Sequence, residues 1–359
     1  MAETTAADET AAAAETAVPA DGPPTGEASG SSRRPRIRLA PIWWSTVGLF
    51  VLSWIVQPDS VNSTAIDAML PFAGILAVAS IGQTLVVMSR GVDLSVAGTM
   101  TLAALIGSKY ATGQGGNLWV GFLIVAAVAV IIGSVNGVVV AYAEVTPLVA
   151  TFALNTLLVG VALFYSGGRP VRAPESLADF ALSKTMGVSN TVLVSLVFIV
   201  IVGFATSRTV WGRRLMSVGS SERAAQAVGL HANRVKVSAY VAGALCFSAA
   251  GVLLAGYVST PNVGSGNRYL LPSIAAVVVG GNSFVGGRGY IVGTAVGALF
   301  LSQLSQLVLS LGLPTSAQLL IEAAVIAVAI GAQTLDAAGL ARRAGARLRA
   351  SPGNNTTKP

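Results

Sequence analysis

Runs such as Leu118 to Tyr142 and Ser189 to Thr206 are almost wholly apolar, and each is close to the roughly 20 residues a helix needs to cross the hydrocarbon of a bilayer. Such segments leave a chain few folds, because inside lipid every backbone amide must find its partner within a helix or a closed barrel. Composition points the same way. Of 359 residues, 53% are hydrophobic and 10% charged, too few charges to clothe a water-facing surface. Hydropathy marks about ten segments, at 42–57, 67–88, 94–110, 118–142, 147–165, 189–206, 236–258, 271–285, 289–311 and 315–335. The sequence therefore predicts an all-α, polytopic integral membrane protein. The third and eighth segments are short and the second contains Pro71, so broken or tilted helices are expected there.

Met1 to about Ser32 is rich in Ala, Thr, Pro and Gly and carries six acids and no basic side chain, the composition of a disordered tail. Arg33, Arg34, Arg36 and Arg38 then precede the first apolar segment, an order unlike that of a cleaved signal peptide. Three parts result: a tail at 1–40, a membrane domain at 41–336 with a long inner loop at 207–235, and a basic tail at 337–359. With the amino terminus inside, 17 of the 22 Lys and Arg residues fall on the inner side, and only Lys109, Arg169, Arg172, Lys184 and Arg268 fall outside. That asymmetry predicts an even number of spans with both termini in the cytoplasm. The net charge of +7 is thus explained by the bilayer, and nucleic-acid binding is not expected. Cys246 is the one cysteine, so neither an intrachain disulfide nor a cysteine metal cluster can form. Gly133 and Gly137, and Gly289, Gly293 and Gly297, recur every four residues, which suits close helix packing within the subunit.

No phosphate-binding loop of the Gly-x4-Gly-Lys-Ser/Thr type and no His-Glu-x-x-His occurs, and the single histidine, His231, reads as a solvated loop residue. Three stretches are more informative. In the inner loop, Ser220 or Ser221 can cap a helix of about two turns, Glu222 complements its positive end and Gly229 suits a left-handed exit. So short a helix is marginal by itself; its small-residue surface fits either a groove on a partner or a resting place on its own subunit. In Gly82 to Gly98 a span stops at Ser89-Arg90-Gly91 and restarts at Asp93, whose carboxylate can cap the next helix or meet a substrate. The third stretch, Ala275 to Gly289, ends a short span in a glycine-dense turn.

Taken together, Gly82-Gln83-Thr84 through Gly91-Val92-Asp93-Leu94-Ser95, the Gly212-Arg213 to Gly229-Leu230 loop, and Ala275 to Gly281 through Gly287-Arg288-Gly289 resemble the permease subunits of ribose-type ABC importers over about residues 43 to 335. The resemblance implies a non-catalytic transport subunit paired with a second permease copy, identical or closely homologous. It also implies two cytosolic ATPases that hold ATP and Mg, none of it bound by this chain, and an extracytoplasmic solute-binding protein. Ser220, Ser221, Glu222, Arg223, Ala224, Ala225, Ala227 and Gly229 then form a coupling helix seated in an ATPase groove. A monosaccharide or sugar-like solute would be translocated, and an inverted repeat would relate spans two to five with seven to ten. Neutral polar side chains within the spans are the pathway candidates, because hydroxylated solutes suit hydrogen-bonding groups: Gln83, Asn136, Thr151, Asn155, Asn282, Gln303 and Gln306, with Asp93 beside them.

Two features depart from that resemblance: the long acidic tail, and Glu322 in the last span where relatives commonly carry a base. Glu322 is expected to pair with a neighbouring base, though it can also face a watery cavity or bind solute. It is also the one obvious ion-coupling carboxylate for the alternative reading, a self-sufficient secondary transporter. A lipid-modifying intramembrane enzyme lacks the clustered acids, histidines or cysteines it would need. The charge asymmetry makes a direct prediction. A cysteine introduced at Ala227 should react with an impermeant maleimide in inside-out vesicles only, and labelling in intact cells would contradict the topology.

Overall fold

The computed structural model describes residues 41–112 and 117–314, with 316–325, 327, 328 and 331 beyond them; the tails expected at 1–40 and 337–359 lie outside the described residues. Helix α1 (Pro41–Val56) and a 3-10 turn (Pro58–Val61) lead into α2 (Ser63–Met88), whose N-cap Asn62 accepts from the Ala65 amide at 2.7 Å. Next come α3 (Val96–Thr112), α4 (Leu118–Ala141) and α5 (Pro147–Ser166). Asn117 caps α4 through the Trp119 amide at 2.9 Å; Pro147 opens α5 and Gly167, at φ +62°, closes it. A short helix α6 (Glu175–Leu182) and a two-residue hairpin of β1 (Lys184–Thr185) and β2 (Val188–Ser189) precede α7 (Asn190–Arg208). The chain continues through α8 (Val210–Ser220), α9 (Glu222–Ala227), α10 (Ala232–Val258), a 3-10 turn (Asn267–Tyr269), α11 (Leu270–Val279) and α12 (Ile291–Ser310), and an apolar helix α13 (Ser316–Val325) follows.

Burial separates an inner from an outer set. In their spanning windows α2 is 83% and α10 61% buried, against 22–28% for α4, α5 and α7. The outer helices turn Trp44, Ile55, Leu123, Ile131, Phe164 and Phe204 outward, an apolar surface that only lipid can solvate.

The two inner helices run antiparallel. The Ala68 carbonyl faces the Tyr257 hydroxyl at 3.4 Å, while Gly82 faces Gly243 and Cys246 further along. At that crossing the backbones touch: a Cβ on Gly82 would stand 2.8 Å from the Gly243 carbonyl oxygen, and one on Gly243 would stand 3.1 Å from that of Gly82. Helix α2 packs on α11 and α12, and α10 packs on α3 and α4. Each half of the chain thus lends its long first helix to the other half. In both halves that helix (26 and 27 residues) is followed by an irregular connection, a short helix and a longer one, with the second copy reversed in direction. This is the arrangement an inverted repeat produces.

Helix α2 is continuous through Pro71, which corrects the expected break; the proline is the ninth residue of the helix and removes one intrahelical donor, a loss that packing against the neighbouring helices tolerates. Of the two short segments, the third is one uninterrupted helix, so no break occurs there, whereas the eighth ends early. Residues 89–95 are non-helical before α3, and α11 stops at Val279, so 280–290 forms a connector where helix was expected to 285. The glycine stripes pack internally, Gly133 and Gly137 on the backbone of α10 at Val241 and Val237, and Gly297 on Ala276. Basic residues segregate as well. Lys109 lies over the Tyr165 ring and Lys184 meets Asp67 at one end, whereas Arg90 and Lys236 lie at the other.

The crossing sets a test. Gly243→Val should lower stability by about 1–3 kcal/mol through overpacking, read as earlier thermal unfolding in detergent. Gly48→Val, at a glycine with nothing within 4 Å of an added Cβ, should leave it unchanged.

Candidate functional site

Helix α9 is built as its sequence implies. Ser221 is the cap, its hydroxyl accepting from the Ala224 amide at 3.3 Å, and Gly229 leaves at φ +81°. Glu222 in the first turn reaches Lys236 on α10, Oε2 to Nζ 2.7 Å. Ala225 is buried with Val218 and Ala232, which fixes one face to the chain's own body, while Arg223, Ala224, Ala227 and Val228 are exposed. Ser220 is not the cap; it ends α8, its hydroxyl donating to the Met216 carbonyl at 2.8 Å.

Helix α8 was not foreseen. Thr209 caps it by accepting from the Gly212 amide at 3.3 Å, and buried Leu215 and Val218 with half-buried Trp211 form its inner face. That spacing of three and four residues was present in the sequence, but the segment is too polar to register as a span.

The end of α8 is held by the other two stretches that stood out in the sequence. Arg90, at φ +66°, directs Nε to the Gly219 carbonyl at 2.6 Å and an Nη to the Ser220 carbonyl at 2.5 Å. A guanidinium there satisfies carbonyls that a helix C-terminus leaves open and opposes the negative end of its dipole. The Gly287 amide donates to the Met88 carbonyl at 3.0 Å. Contact is so close that a Cβ on Gly219 would overlap that same Met88 oxygen. The end of α2, the end of α8 and the 280–289 connector therefore form one packed joint, from which α9 projects.

Of the pathway candidates, Asp93 and Asn282 lie in the two connectors, and Gln83, Asn136 and Thr151 bond to the first of these. Gln83 donates to the Asp93 carbonyl and accepts from the Asp93 amide, each at 3.1 Å. The Asp93 carboxylate, fully buried, accepts from the Ser95 amide (2.8 Å) and hydroxyl (2.6 Å), with the Asn136 amide 3.4 Å from both of its oxygens. It thus turns the chain into α3 through hydrogen bonds, and no cation pairs with it among the described residues. Thr151 accepts from the Leu94 amide at 2.9 Å and Asn155 from the Gly98 amide at 2.8 Å, tying α5 to the start of α3. Asn282 accepts from the Tyr290 amide at 2.6 Å and donates to Thr294, whose hydroxyl lies 2.8 Å from that of Thr84. Gln303 is fully buried, with neither end of its amide bonded among the described residues, and Gln306 is half-buried. Glu322 does not meet a base among the described residues. It is buried and accepts from Ser305 (2.8 Å) and Gln318 (2.9 Å), the nearest donors on α12 and its own helix.

A polar cleft of about 770 Å³ opens beside α9, bounded by the α2–α3 and α4–α5 turns and the start of α10, with Arg90, Glu144, Arg223 and Lys236 in its walls. No group of three or more His, Cys, Asp or Glu residues suited to a metal ion exists among the described residues.

A helical bundle with an apolar girdle, two ordered non-helical connectors and a small helix set against them is the build of a permease of an ABC import system, a multi-pass protein of the inner membrane. The chain belongs to the family described as branched-chain amino acid transport system / permease component, which it matches over residues 65–330. It is 31% identical over 294 residues to the ribose import permease protein RbsC of Escherichia coli strain K12, covering 80% of this chain and 91% of that protein. With the ribose import permease protein RbsC of Bacillus subtilis strain 168 it shares 30% identity over 299 residues, 79% of this chain and 90% of that one. The autoinducer 2 import system permease protein LsrC of Enterobacter sp. strain 638 is 29% identical over 269 residues, 75% of this chain and 78% of LsrC. No solved structure matches the chain.

Removing the guanidinium should loosen the joint. Arg90→Ala is expected to cost about 1–2 kcal/mol locally, seen as faster amide hydrogen exchange across 216–228 with α4 unchanged.

Proposed function

We propose that this chain is the translocating subunit of an importer for a monosaccharide or sugar-like solute, driven by ATP hydrolysis in a separate cytosolic ATPase that holds ATP and Mg. A solute-binding protein would deliver cargo from outside, and a second permease copy would complete the pathway. The observation that carries the reading is the joint under α9. Its exposed face of Ala224, Ala227 and Val228 is shaped to enter a groove, and its root is tied through Ser220 and Arg90 to the end of α2. A push on α9 therefore reaches two inner elements at once, α2 and the connector between α11 and α12.

Each residue then has a role. Ser221, Glu222 and Gly229 set the ends of α9; Ala225 seats it on the body; Arg223, Ala224 and Ala227 meet the ATPase. When the ATPases close on nucleotide, α9 moves with their grooves, and the joint converts that displacement into a tilt of α2 against α10. Gln83, Asp93, Asn136, Thr151, Asn155 and Asn282 keep the connectors in register during the tilt. Gln303 and Gln306 retain amide capacity for a hydroxylated solute. The sugar reading is supported by the similarity to ribose import permeases and by pathway candidates that are neutral apart from Asp93; the family as a whole is described for an amino acid system.

Uptake by the reconstituted chain with its ATPase and binding protein, and none without either, is the expected result; ion-driven uptake by the chain alone would overturn the reading. Gly229→Pro cannot adopt φ +81° and should destabilise α9 by more than about 1 kcal/mol, abolishing ATPase co-purification while membrane insertion persists.

A further inference from the structure

Just beyond α9, Arg214 of α8 and His231 and Arg234 at the start of α10 line one cavity of about 200 Å³ with Gly229, Leu230 and Val235. No carboxylate lines it, and neither arginine takes part in an ion pair among the described residues. The same cavity abuts the N-terminus of the 27-residue α10, where His231 occupies the cap position without a side-chain cap bond. Two exposed guanidiniums on one small cavity give it a positive potential, to which the amides at the start of a long helix add. The chemistry that answers both is a phosphate, whose oxygens accept from guanidinium forks and backbone amides alike.

Position favours a phosphate carried by lipid. Helix α7 ends its span at Arg208, and α8 begins two residues later with exposed Val210 and half-buried Trp211, whose indole donates to the Ser238 hydroxyl at 2.9 Å. Arg213 and Arg214 follow on the exposed side. A helix that starts with an exposed apolar residue two positions beyond the end of a span, and turns arginines outward within its first two turns, lies close to the boundary between acyl chains and headgroups. We propose that the cavity between α8 and the start of α10 binds the headgroup phosphate of an anionic phospholipid of the cytoplasmic leaflet, bridging the loop that bears α9 to the central helix. This does not depend on the cargo or on ATP coupling.

Native mass spectrometry of the full-length chain, titrated separately with phosphatidylglycerol, phosphatidylcholine and inorganic phosphate, tests it. Wild type should bind a first phosphatidylglycerol in preference to phosphatidylcholine. Arg214→Gln and Arg234→Gln should each weaken that step about fivefold, the effect of one basic residue at an anionic surface. Arg213→Gln, outside the cavity, should not change it, and Arg214→Lys should retain most of it. Equal binding of the two lipids by wild type would overturn the proposal whether or not the glutamine variants fold. So would inorganic phosphate displacing the lipid at equal concentration, which would make the site one for a soluble anion. A third contrary result is full phosphatidylglycerol binding by the glutamine variants together with loss of ATPase co-purification, which would assign the cluster to a protein interface.

Discussion

Backbone contact between α2 and α10 at Gly82 and Gly243 determines where everything else in this bundle can lie. In lipid there is no hydrophobic force to draw two helices together, so close approach through small residues is what secures them. Because the carbonyl of each glycine stands against the other helix, the two long helices are held at one depth and in antiparallel order. The exchanged packing of the halves follows, α2 on α11 and α12, α10 on α3 and α4. Outer helices need only present apolar side chains to lipid, and they are correspondingly little buried.

Below that crossing, polar groups take over from small ones. Gln83, one residue from the crossing, reaches the backbone of Asp93, and Asn282 performs a comparable task in the other half by holding the Tyr290 amide. Buried polar groups of this kind must be satisfied or they destabilise the fold, and once satisfied they fix a single conformation of an irregular segment. The two connectors are therefore ordered without being helical. Arg90 and Gly287 bring them to the end of α8, so that the loop facing the cytoplasm shares a root with both halves of the molecule.

Much of this could be read in the sequence, for physical reasons that differ by element. Apolar runs of membrane length marked the spans, and a serine, an acid and a glycine at the right spacing marked α9. What stayed hidden was of two sorts. Helix α8 is short and half polar, so it fell below any hydropathy threshold although Trp211, Leu215 and Val218 repeat at helical spacing. Pairings across long separations were the other sort. Nothing near Asp93 announces Asn136, and nothing near Arg90 announces the carbonyls of Gly219 and Ser220, because a hydrogen bond over that distance is set by the packing of the helices and not by local pattern. Pro71 misled for a related reason: a proline deletes one local bond, and whether the helix breaks there is decided by the neighbours packed around α2 and not by the local pattern.

Arg90 grips main-chain oxygens, and every amino acid supplies one. The fastening is thus indifferent to which side chains follow along 220–228, provided that Gly219 stays small. Main-chain recognition of this kind leaves the side chains exposed along α9 free to differ while its attachment to the membrane core stays the same.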